Sequence, residues 1–203
     1  MSVNPEFDTQ DLLRAARAGD GSAQGRLMEM YRNYLILLAR LQIGRRLQGK
    51  VDPSDLVQET FLNAHRDFAG FRGKTEEEIV VWLRRILATR LAMTVRRYHG
   101  VKGRDVRLER ELAGDLEASS KSLNREFVAP FSSPSQHAAG REQAVLLADA
   151  LRELPEDYRE VIILRHMEGL PFPLVARQMG RSVDSVKKLW MRGLVQLRRL
   201  LSA

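Results

Sequence analysis

The sequence predicts an all-α protein, and three observations support this class. Apolar residues recur at intervals of three and four along most of the chain, the spacing of one face of a helix. No stretch alternates apolar and polar residues over the length of a strand. Helix start signals precede the apolar segments and glycines follow several of them. We therefore expect a set of packed helices.

Composition narrows the class of protein further. The 203 residues suffice for one large domain or two small ones, and 44% hydrophobic residues suffice for packed cores. The absence of cysteine excludes disulfide scaffolds, thiol nucleophiles and cysteine-bound zinc. The N-terminal stretch is polar, and nothing approaches about 18 uncharged apolar residues in a row. We expect a cytoplasmic protein without membrane insertion.

An excess of positive charge favours a polyanionic partner. Lys and Arg number 33 against 26 Asp and Glu, which gives a formal net charge of +7. The segment from Pro171 to Ala203 contains seven basic side chains and one aspartate, a local charge of +6, whereas the segment from Ser133 to Leu170 is acidic. A single Lys or Arg is usually part of an ordinary solvated face, but a one-sided basic cluster of this kind is less often so.

Four helices are predicted in a first domain, residues 1–99. The first helix runs near Gln10 to Ala18 and ends at Gly19, and the second begins at Ser22 and contains RLMEMYRNYLILLARL. The third begins in DPSDL, where an aspartate caps and a proline is pre-set for the first helical position. The fourth follows the loop AGFRGK, begins with the capping box TEEE and reaches about Tyr98.

The third helix has two distinct faces. Its apolar face consists of Leu56, Val57, Phe61, Ala64 and Phe68. Its other face consists of Asp55, Gln58, Glu59, Leu62 and Arg66. From this helix alone, a solvated face with one exposed leucine is the simpler interpretation.

A polar segment from Gly100 to Ser132 is predicted to be a linker with room for a transient helix. Its acidic and basic residues balance, and large apolar residues are few. Fully extended, it would span roughly 110 Å. The second domain, residues 133–203, is expected to begin at SPSQ, with Ser133 as the cap.

The second domain contains a predicted helix-turn-helix. LPEDYREVIILRHMEGL forms a helix that ends at Gly169, PFPLVARQMG forms a short helix that ends at Gly180, and a longer helix capped by Ser182 follows. Trp190 falls on the apolar stripe of the longer helix, so we expect it to pack and not to stack on bases. A simple helical hairpin would fit the same pattern. The polar residues around the start and along the other face suit a DNA groove: Arg181, Ser182, Asp184, Ser185, Lys187, Lys188 and Arg192.

These segments together resemble the bacterial sigma factors of the extracytoplasmic-function (ECF) type, the promoter-recognition subunits of RNA polymerase. The resemblance covers nearly everything from Gln10 to Leu201. It rests on DLVQETFLNAHRDFAGFRG followed by WLRRILATRLAMTVRR, and on LRELPEDYREVIILRHMEGLPFPLVARQMGRSVDSVKKLWMRGLVQLRRLL. It implies two helical domains, called regions two and four, that bind core RNA polymerase and promoter DNA, with a linker that threads polymerase channels.

The resemblance also implies contact residues. The polar face of the third helix would dock on the clamp coiled coil of the largest polymerase subunit through Asp55, Gln58, Glu59 and Leu62, and the flap region would be a further polymerase contact. The loop FRGKT and the fourth helix would meet the minus-ten element as it melts, through Phe71, Arg72, Lys74, Trp82, Arg85, Thr89, Arg96 and Arg97. A core position for Trp82 is equally open. The helix-turn-helix would read the minus-thirty-five element.

This sequence departs from the common family pattern at several positions, and these differences affect which promoter sequence the chain would prefer. Ala88, Thr89 and Leu189 replace residue types that are frequent in the family, and PFPLVA replaces an acidic run. An anti-sigma partner is implied for many relatives. Location in the nucleoid would follow from polymerase binding.

Two other classes of function compete with a sigma factor. Catalysis is not expected, because phosphate-loop, serine-hydrolase and zinc-protease motifs are absent and the four histidines are scattered. A hydrolase would need clustered carboxylates for metal ions, but the acids Glu76 to Glu78 are better explained by the helix dipole. No cofactor, metal or small-molecule substrate is therefore expected. The alternative is a helix-turn-helix regulator that acts as a dimer, which would have no use for a long linker.

Overall fold

The structure, a computed structural model, describes residues 9–47, 51–100, 105–123 and 143–202. Within these ranges every regular element is a helix and no strand occurs, which confirms the all-α class. The chain divides into two compact units, residues 1–120 and 121–203. The two-domain fold is thus confirmed, and the division falls inside the segment predicted as a linker.

The first unit consists of helices that follow one another closely along the chain. A 3-10 turn at Phe68–Gly70 extends the fourth of them. The helices are α1 (Thr9–Arg17), α2 (Gly21–Glu29), α3 (Arg32–Leu47), α4 (Pro53–Asp67), α5 (Glu76–Tyr98) and the greater part of α6 (Val106–Leu123).

In the first unit, the structure confirms the helix ends that were predicted from capping residues and from a terminal glycine. Asp52 caps α4, because its Oδ1 accepts a hydrogen bond from the Ser54 backbone N at 2.7 Å. Thr75 and Glu78 form the capping box of α5. Gly19 follows α1 with φ +98°, a backbone conformation that favours glycine.

The helix predicted from Ser22 onwards is two helices in the structure. The chain turns at Met30 and Tyr31, between α2 and α3, where the Tyr31 backbone N donates to the Met28 carbonyl at 3.0 Å. The Tyr31 side chain is fully buried after this turn. Neither Pro nor Gly marks the position, so the break follows from packing and not from a local signal.

Helices α3, α4 and α5 form the core of the first unit. Burying one large aliphatic side chain stabilises a fold by about 1.5–3 kcal/mol, so the contact among these helices fixes their rotation. The inward face of α4 is the predicted apolar one, and the opposite face is consequently exposed. Fully or almost fully buried residues of this core include Leu35, Leu38, Val57, Leu83, Leu87 and Leu91.

Helix α6 lies within the predicted linker and packs against the first unit. Leu112 and Leu116 are fully buried, since their spacing of four places them on one face. The Tyr34 hydroxyl of α3 donates to Ser120 Oγ at 3.0 Å, and Gln42 Nε2 donates to Ser119 Oγ at 3.4 Å. The polar composition concealed this narrow apolar stripe.

The second unit contains the helix-turn-helix. Its elements are α7 (Gln143–Glu153), α8 (Glu156–Ile162), a π-helical turn (Ile163–Met167), α9 (Phe172–Gln178) and α10 (Val183–Ser202). Gly169 and Gly180 have φ of +73° and +63° and end the preceding segments as predicted. The predicted start of the second domain at Ser133 lies outside the described residues.

Helices α8 and α10 approach closely at Gly193. A Cβ at this position would lie 3.2 Å from Ile162 Cδ1, 3.2 Å from Tyr158 Cβ and 3.3 Å from the Tyr158 carbonyl oxygen. Glycine therefore permits the contact that sets α10 against the rest of the second unit.

Candidate functional site

The outward face of α4 presents the four residues that the sequence predicted as a protein contact. Asp55, Gln58 and Glu59 are exposed, and Leu62 has 67% of its surface accessible. We call these four residues the α4 surface. Carboxylates and an amide around one exposed leucine suit a partner helix that carries basic and apolar side chains.

Arg90 of α5 supports the α4 surface in a way that the sequence did not indicate. Its Nη1 lies 3.9 Å from Glu59 Oε2, and its side chain is only 23% exposed. The buried Nε of Arg90 has no hydrogen-bond partner among the described residues. A pair between residues 31 positions apart has no signature in the local sequence pattern, so this contact is evident only from the packing of α4 against α5.

The loop before α5 rests on an aromatic cluster. Phe71 and Trp82 have ring centroids 4.9 Å apart, and Phe68 lies 5.8 Å from Trp82. Phe71 is buried, so its ring supports the loop from beneath, whereas Trp82 is half-buried. A Cβ at Gly73 would overlap the Phe71 ring and lie 2.9 Å from Glu78 Cβ, so a larger residue there would displace that ring.

Hydrogen bonds order the remainder of this loop. The backbone N atoms of Lys74 and Thr75 donate to Glu78 Oε2 at 2.7 and 3.1 Å. These bonds, the one from Lys74 first, lower the pKa of Glu78 below its ordinary value. Arg72 Nη1 donates to the Ala69 carbonyl at 2.8 Å. The Lys74 and Arg72 side chains are both exposed at the surface.

The predicted minus-ten residues of α5 form a strip along the helix. Arg85 and Arg97 are exposed, and Thr89 and Arg96 are half-buried. Thr89 Oγ1 donates to the Arg85 carbonyl at 3.2 Å. The two exposed arginines are twelve positions apart, or about 18 Å along the helix.

The predicted minus-thirty-five residues surround the start of α10. Ser182 Oγ accepts a hydrogen bond from the Ser185 backbone N at 3.2 Å, as its predicted role as cap requires. Arg181 Nη2 pairs with Asp157 Oδ2 of α8 at 2.6 Å, a contact that the sequence did not indicate. The exposed members of this set are Arg181, Ser182, Asp184, Lys187, Lys188 and Arg192, and Ser185 is half-buried.

Asp184 and Lys188 form an ion pair on the first turns of α10. Lys188 Nζ lies 2.8 Å from Asp184 Oδ2. The hydrogen bond from Lys188 and its charge lower the pKa of Asp184. Two aspartates, Asp157 and Asp184, thus partly offset the positive charge of this face.

Trp190 packs inside the second unit. Its Nε1 donates to His166 Nε2 at 2.7 Å, and Phe172 meets its ring edge-on at 5.5 Å. The indole is half-buried by these contacts. This agrees with the interpretation of Trp190 as a packing residue.

Among the described residues, no helix is both long enough and apolar enough to cross a membrane. In the same part of the chain, no three His, Asp or Glu side chains lie close enough together to hold a metal ion.

Comparison with known proteins places the second unit in a defined family of domains. Residues 144–197 match the family model described as Sigma-70, region 4. The match covers α7 except its first residue, α8, α9 and α10 as far as Leu197, so the helix-turn-helix belongs to a sigma-70 region 4 domain and is not a simple hairpin.

Relatives of the whole chain are sigma factors. The ECF RNA polymerase sigma-E factor of Haemophilus influenzae is 30% identical over 182 residues, which cover 90% of this chain and 89% of that protein. The ECF RNA polymerase sigma factor BldN of Streptomyces coelicolor is 28% identical over 191 residues, which cover 94% of this chain and 65% of that protein. The sigma-E factor of Escherichia coli K12 is 26% identical over 187 residues, 91% of this chain and 90% of that protein. This chain belongs to the ECF RNA polymerase sigma factors.

Two solved structures also resemble the chain. CnrH in complex with the cytosolic domain of CnrY is 23% identical, with a TM-score of 0.34, over 96% of this chain and 97% of that one. The RsbN-BldN complex gives 27% identity and a TM-score of 0.31 over 94% of this chain and 99% of that one. The family match and the relatives do not favour the dimeric regulator that the helix-turn-helix alone left open.

Proposed function

We propose that this chain docks on bacterial core RNA polymerase through the α4 surface and directs initiation at promoters that carry two separate elements. Residues 1–99 act on the minus-ten element and residues 133–203 read the minus-thirty-five element, with residues 100–132 as the connection. The observation that most supports docking is Leu62, a large apolar side chain 67% exposed between acidic neighbours.

The minus-ten element is assigned to the loop over Phe71 and to the strip on α5. Exposed arginines at Arg85 and Arg97 suit the backbone of a separated strand, and Trp82, which packs against the loop residue Phe71, is only half-buried. Melting needs no nucleotide cofactor, because contacts with exposed bases offset an unpairing cost of a few kcal/mol. The chemistry of RNA synthesis belongs to polymerase, and the chain acts without catalysis of its own.

The minus-thirty-five element is assigned to the basic face of α10. The first half of this helix carries exposed Lys187, Lys188 and Arg192, and the cap at Ser182 orders the first turn. The chain would act in the cytoplasm, on the nucleoid, wherever polymerase is bound. An anti-sigma partner that covers both contact surfaces is part of this proposal.

Binding to polymerase is the experiment that tests the proposal. The purified chain should bind sigma-free core polymerase saturably at moderate salt, and the complex should produce new start sites in run-off transcription from genomic fragments. Comparing the sequences upstream of those start sites would identify both promoter elements. Failure to bind, together with sequence-specific shifts of duplex DNA by the chain alone, would contradict the proposal.

Leu62→Ala tests the docking surface itself. Its side chain is exposed, so the change leaves the core intact and should weaken polymerase binding at least about fivefold, as truncating a central interface residue does. Val81→Ala is the matched control, since Val81 is 38% exposed and lies outside the proposed contacts. Titration of fluorescent chain with core polymerase measures both variants, and equal affinities would remove Leu62 from the contact.

A further inference from the structure

Five side chains of the second unit form a cluster that has Phe172 at its centre. Trp190 Nε1 donates to His166 Nε2 at 2.7 Å, and the two rings stack with centroids 5.7 Å apart. Phe172 meets the Trp190 ring edge-on, with centroids 5.5 Å apart and planes at 77°. The Arg165 guanidinium carbon lies 4.9 Å from the centroid of Phe172, and Lys187 Nζ lies 5.9 Å from it. We call these residues the Phe172 cluster.

The Phe172 cluster joins three elements of the helix-turn-helix. Arg165 and His166 belong to the π-helical turn, Phe172 begins α9, and the remaining two residues belong to α10. Arg165 Nη1 also donates to the Leu170 carbonyl at 3.3 Å, which ties the turn to the chain that leads into α9. The cluster therefore fixes how α10 is rotated against the first helix of the motif.

The two adjacent lysines of α10 have different partners. Lys188 forms an ion pair with Asp184 at 2.8 Å, so a carboxylate offsets its charge. Lys187 lies over an aromatic face, which attracts the ammonium group without neutralising it. Because its side chain is otherwise exposed and long, the ring also limits the rotamers that Lys187 samples.

We propose that Phe172 is a positioning residue for DNA binding: it holds Lys187 in place to contact a backbone phosphate of the upstream promoter element. The proposal rests on the proposed DNA-binding function of the second unit and adds to it a residue that touches no DNA. Neutralising one phosphate releases condensed counterions, so a positioned lysine leaves a signature in the salt dependence of binding.

The first test compares Phe172→Leu with the unchanged chain. The full chain binds a short fluorescent duplex that contains an upstream element found by run-off transcription, at salt from about 50 to 200 mM. Phe172→Leu should weaken binding about fivefold at the lower salt and make the slope of log K against log salt shallower by about 0.9. Phe172→Tyr keeps the ring and should restore both values. A purely structural role would lower the melting temperature and leave the slope unchanged, which would overturn the proposal.

A double-mutant cycle locates the residue through which Phe172 acts. Lys187→Gln should produce the same loss of slope, and adding Phe172→Leu to it should cause no further loss. The matched cycle with Lys188→Gln should be additive. If the Lys187 cycle is additive instead, Phe172 does not act through Lys187.

If Phe172→Leu proves unstable, a replacement that keeps an aromatic ring of the same shape can distinguish a role in positioning Lys187 from a role in folding. Pentafluorophenylalanine at position 172 keeps the apolar ring but reverses the charge of its face, which Arg165 also meets. It should therefore reduce the slope in the chain that keeps Lys187 and leave the slope of Lys187→Gln unchanged. An unchanged slope in the chain that keeps Lys187 would overturn the positioning role alone. If the unsubstituted chain bound the duplex neither by itself nor within the polymerase complex, the positioning role and the proposed function would fall together.

Discussion

At the scale of single residues, the pair Glu59 and Arg90 links the α4 surface to the helix behind it. The guanidinium is largely buried and the carboxylate is 58% exposed, at a distance of 3.9 Å. A pair so exposed on one side contributes little to stability. Its effect is to restrict a carboxylate that would otherwise sample many rotamers, which favours binding of a cationic partner.

Reversing the charge of Glu59 should weaken docking on polymerase. Glu59→Arg would place a guanidinium beside Arg90 and oppose basic groups of the partner, so we expect at least about fivefold lower affinity for core polymerase. Glu77→Arg makes the same change at an exposed position of α5 outside the proposed contacts and should bind normally. Competition with labelled wild-type chain measures both. Unchanged affinity of Glu59→Arg would show that polymerase does not contact this face.

Glu78 gives the loop before α5 a defined dependence on pH. Its carboxylate accepts two backbone hydrogen bonds, and its pKa in the folded chain is below the ordinary value of 4.5. A lowered folded pKa means that the ionised form stabilises the fold above pH 4.5 and that this stabilisation is lost as pH falls through the folded pKa. Stability should therefore decrease in acid partly through this residue.

Thermal unfolding of Glu78→Gln should show that dependence directly. The unchanged chain should melt higher than the variant near neutral pH, and the gap should close once the pH falls below 4.5. Glu77→Gln, one position earlier, should show a smaller gap, because Glu77 is not the capping-box residue. A gap that stays constant with pH would mean that ionisation of Glu78 does not stabilise the loop.

At the scale of elements, the sequence predicted what local chemistry determines. Caps at Asp52 and Thr75, and glycines at the ends of segments, were confirmed because each signal acts within a few residues. The turn at Tyr31 and the docking of α6 were not predicted, because both depend on what a buried side chain meets elsewhere in the chain. The exposed faces of the helices could be predicted from the spacing of apolar residues. The pair between Arg181 and Asp157 could not, because it forms only when α8 and α10 pack together.

Gly193 tests the packing of α8 on α10. Alanine favours a helix over glycine by up to about 1 kcal/mol, but a Cβ here would press on the backbone and Cβ of Tyr158. Crowding of a packed contact costs about 1–3 kcal/mol, so Gly193→Ala should destabilise the second unit. Trp190 fluorescence, with Trp82 replaced by Phe, follows unfolding of that unit.

Gly25→Ala is the matched control for this prediction. Gly25 lies inside α2, and a Cβ there would meet nothing within 4 Å. The same substitution should therefore stabilise the first unit by about 0.4–1 kcal/mol. If Gly193→Ala stabilised its unit as Gly25→Ala does, α8 and α10 would be able to separate slightly without loss of stability.

At the scale of the whole molecule, α6 shortens the connection between the two parts that we propose to contact DNA. Because α6 is docked on α3, the part of the chain left to bridge the two units is residues 121–142. Its maximal reach is roughly 73 Å, against roughly 110 Å for the predicted linker, residues 100–132. Two promoter elements two duplex turns apart are about 70 Å apart, so the shortened connection still suffices with little to spare.

A fixed spacing between the two elements follows from this limited reach. Inserting about 5 base pairs turns the upstream element to the opposite side of the duplex, where α10 cannot meet it while the first unit holds the minus-ten element. We therefore expect Arg192→Ala to reduce initiation about tenfold on the natural promoter, through loss of one base or phosphate contact, and to have no effect on the shifted promoter. Arg152→Ala, which removes an exposed arginine from α7, should have no effect on either promoter. Run-off transcription measures all four combinations. Equal sensitivity of the natural and shifted promoters to Arg192→Ala would mean that the second unit binds DNA independently of where the first unit sits.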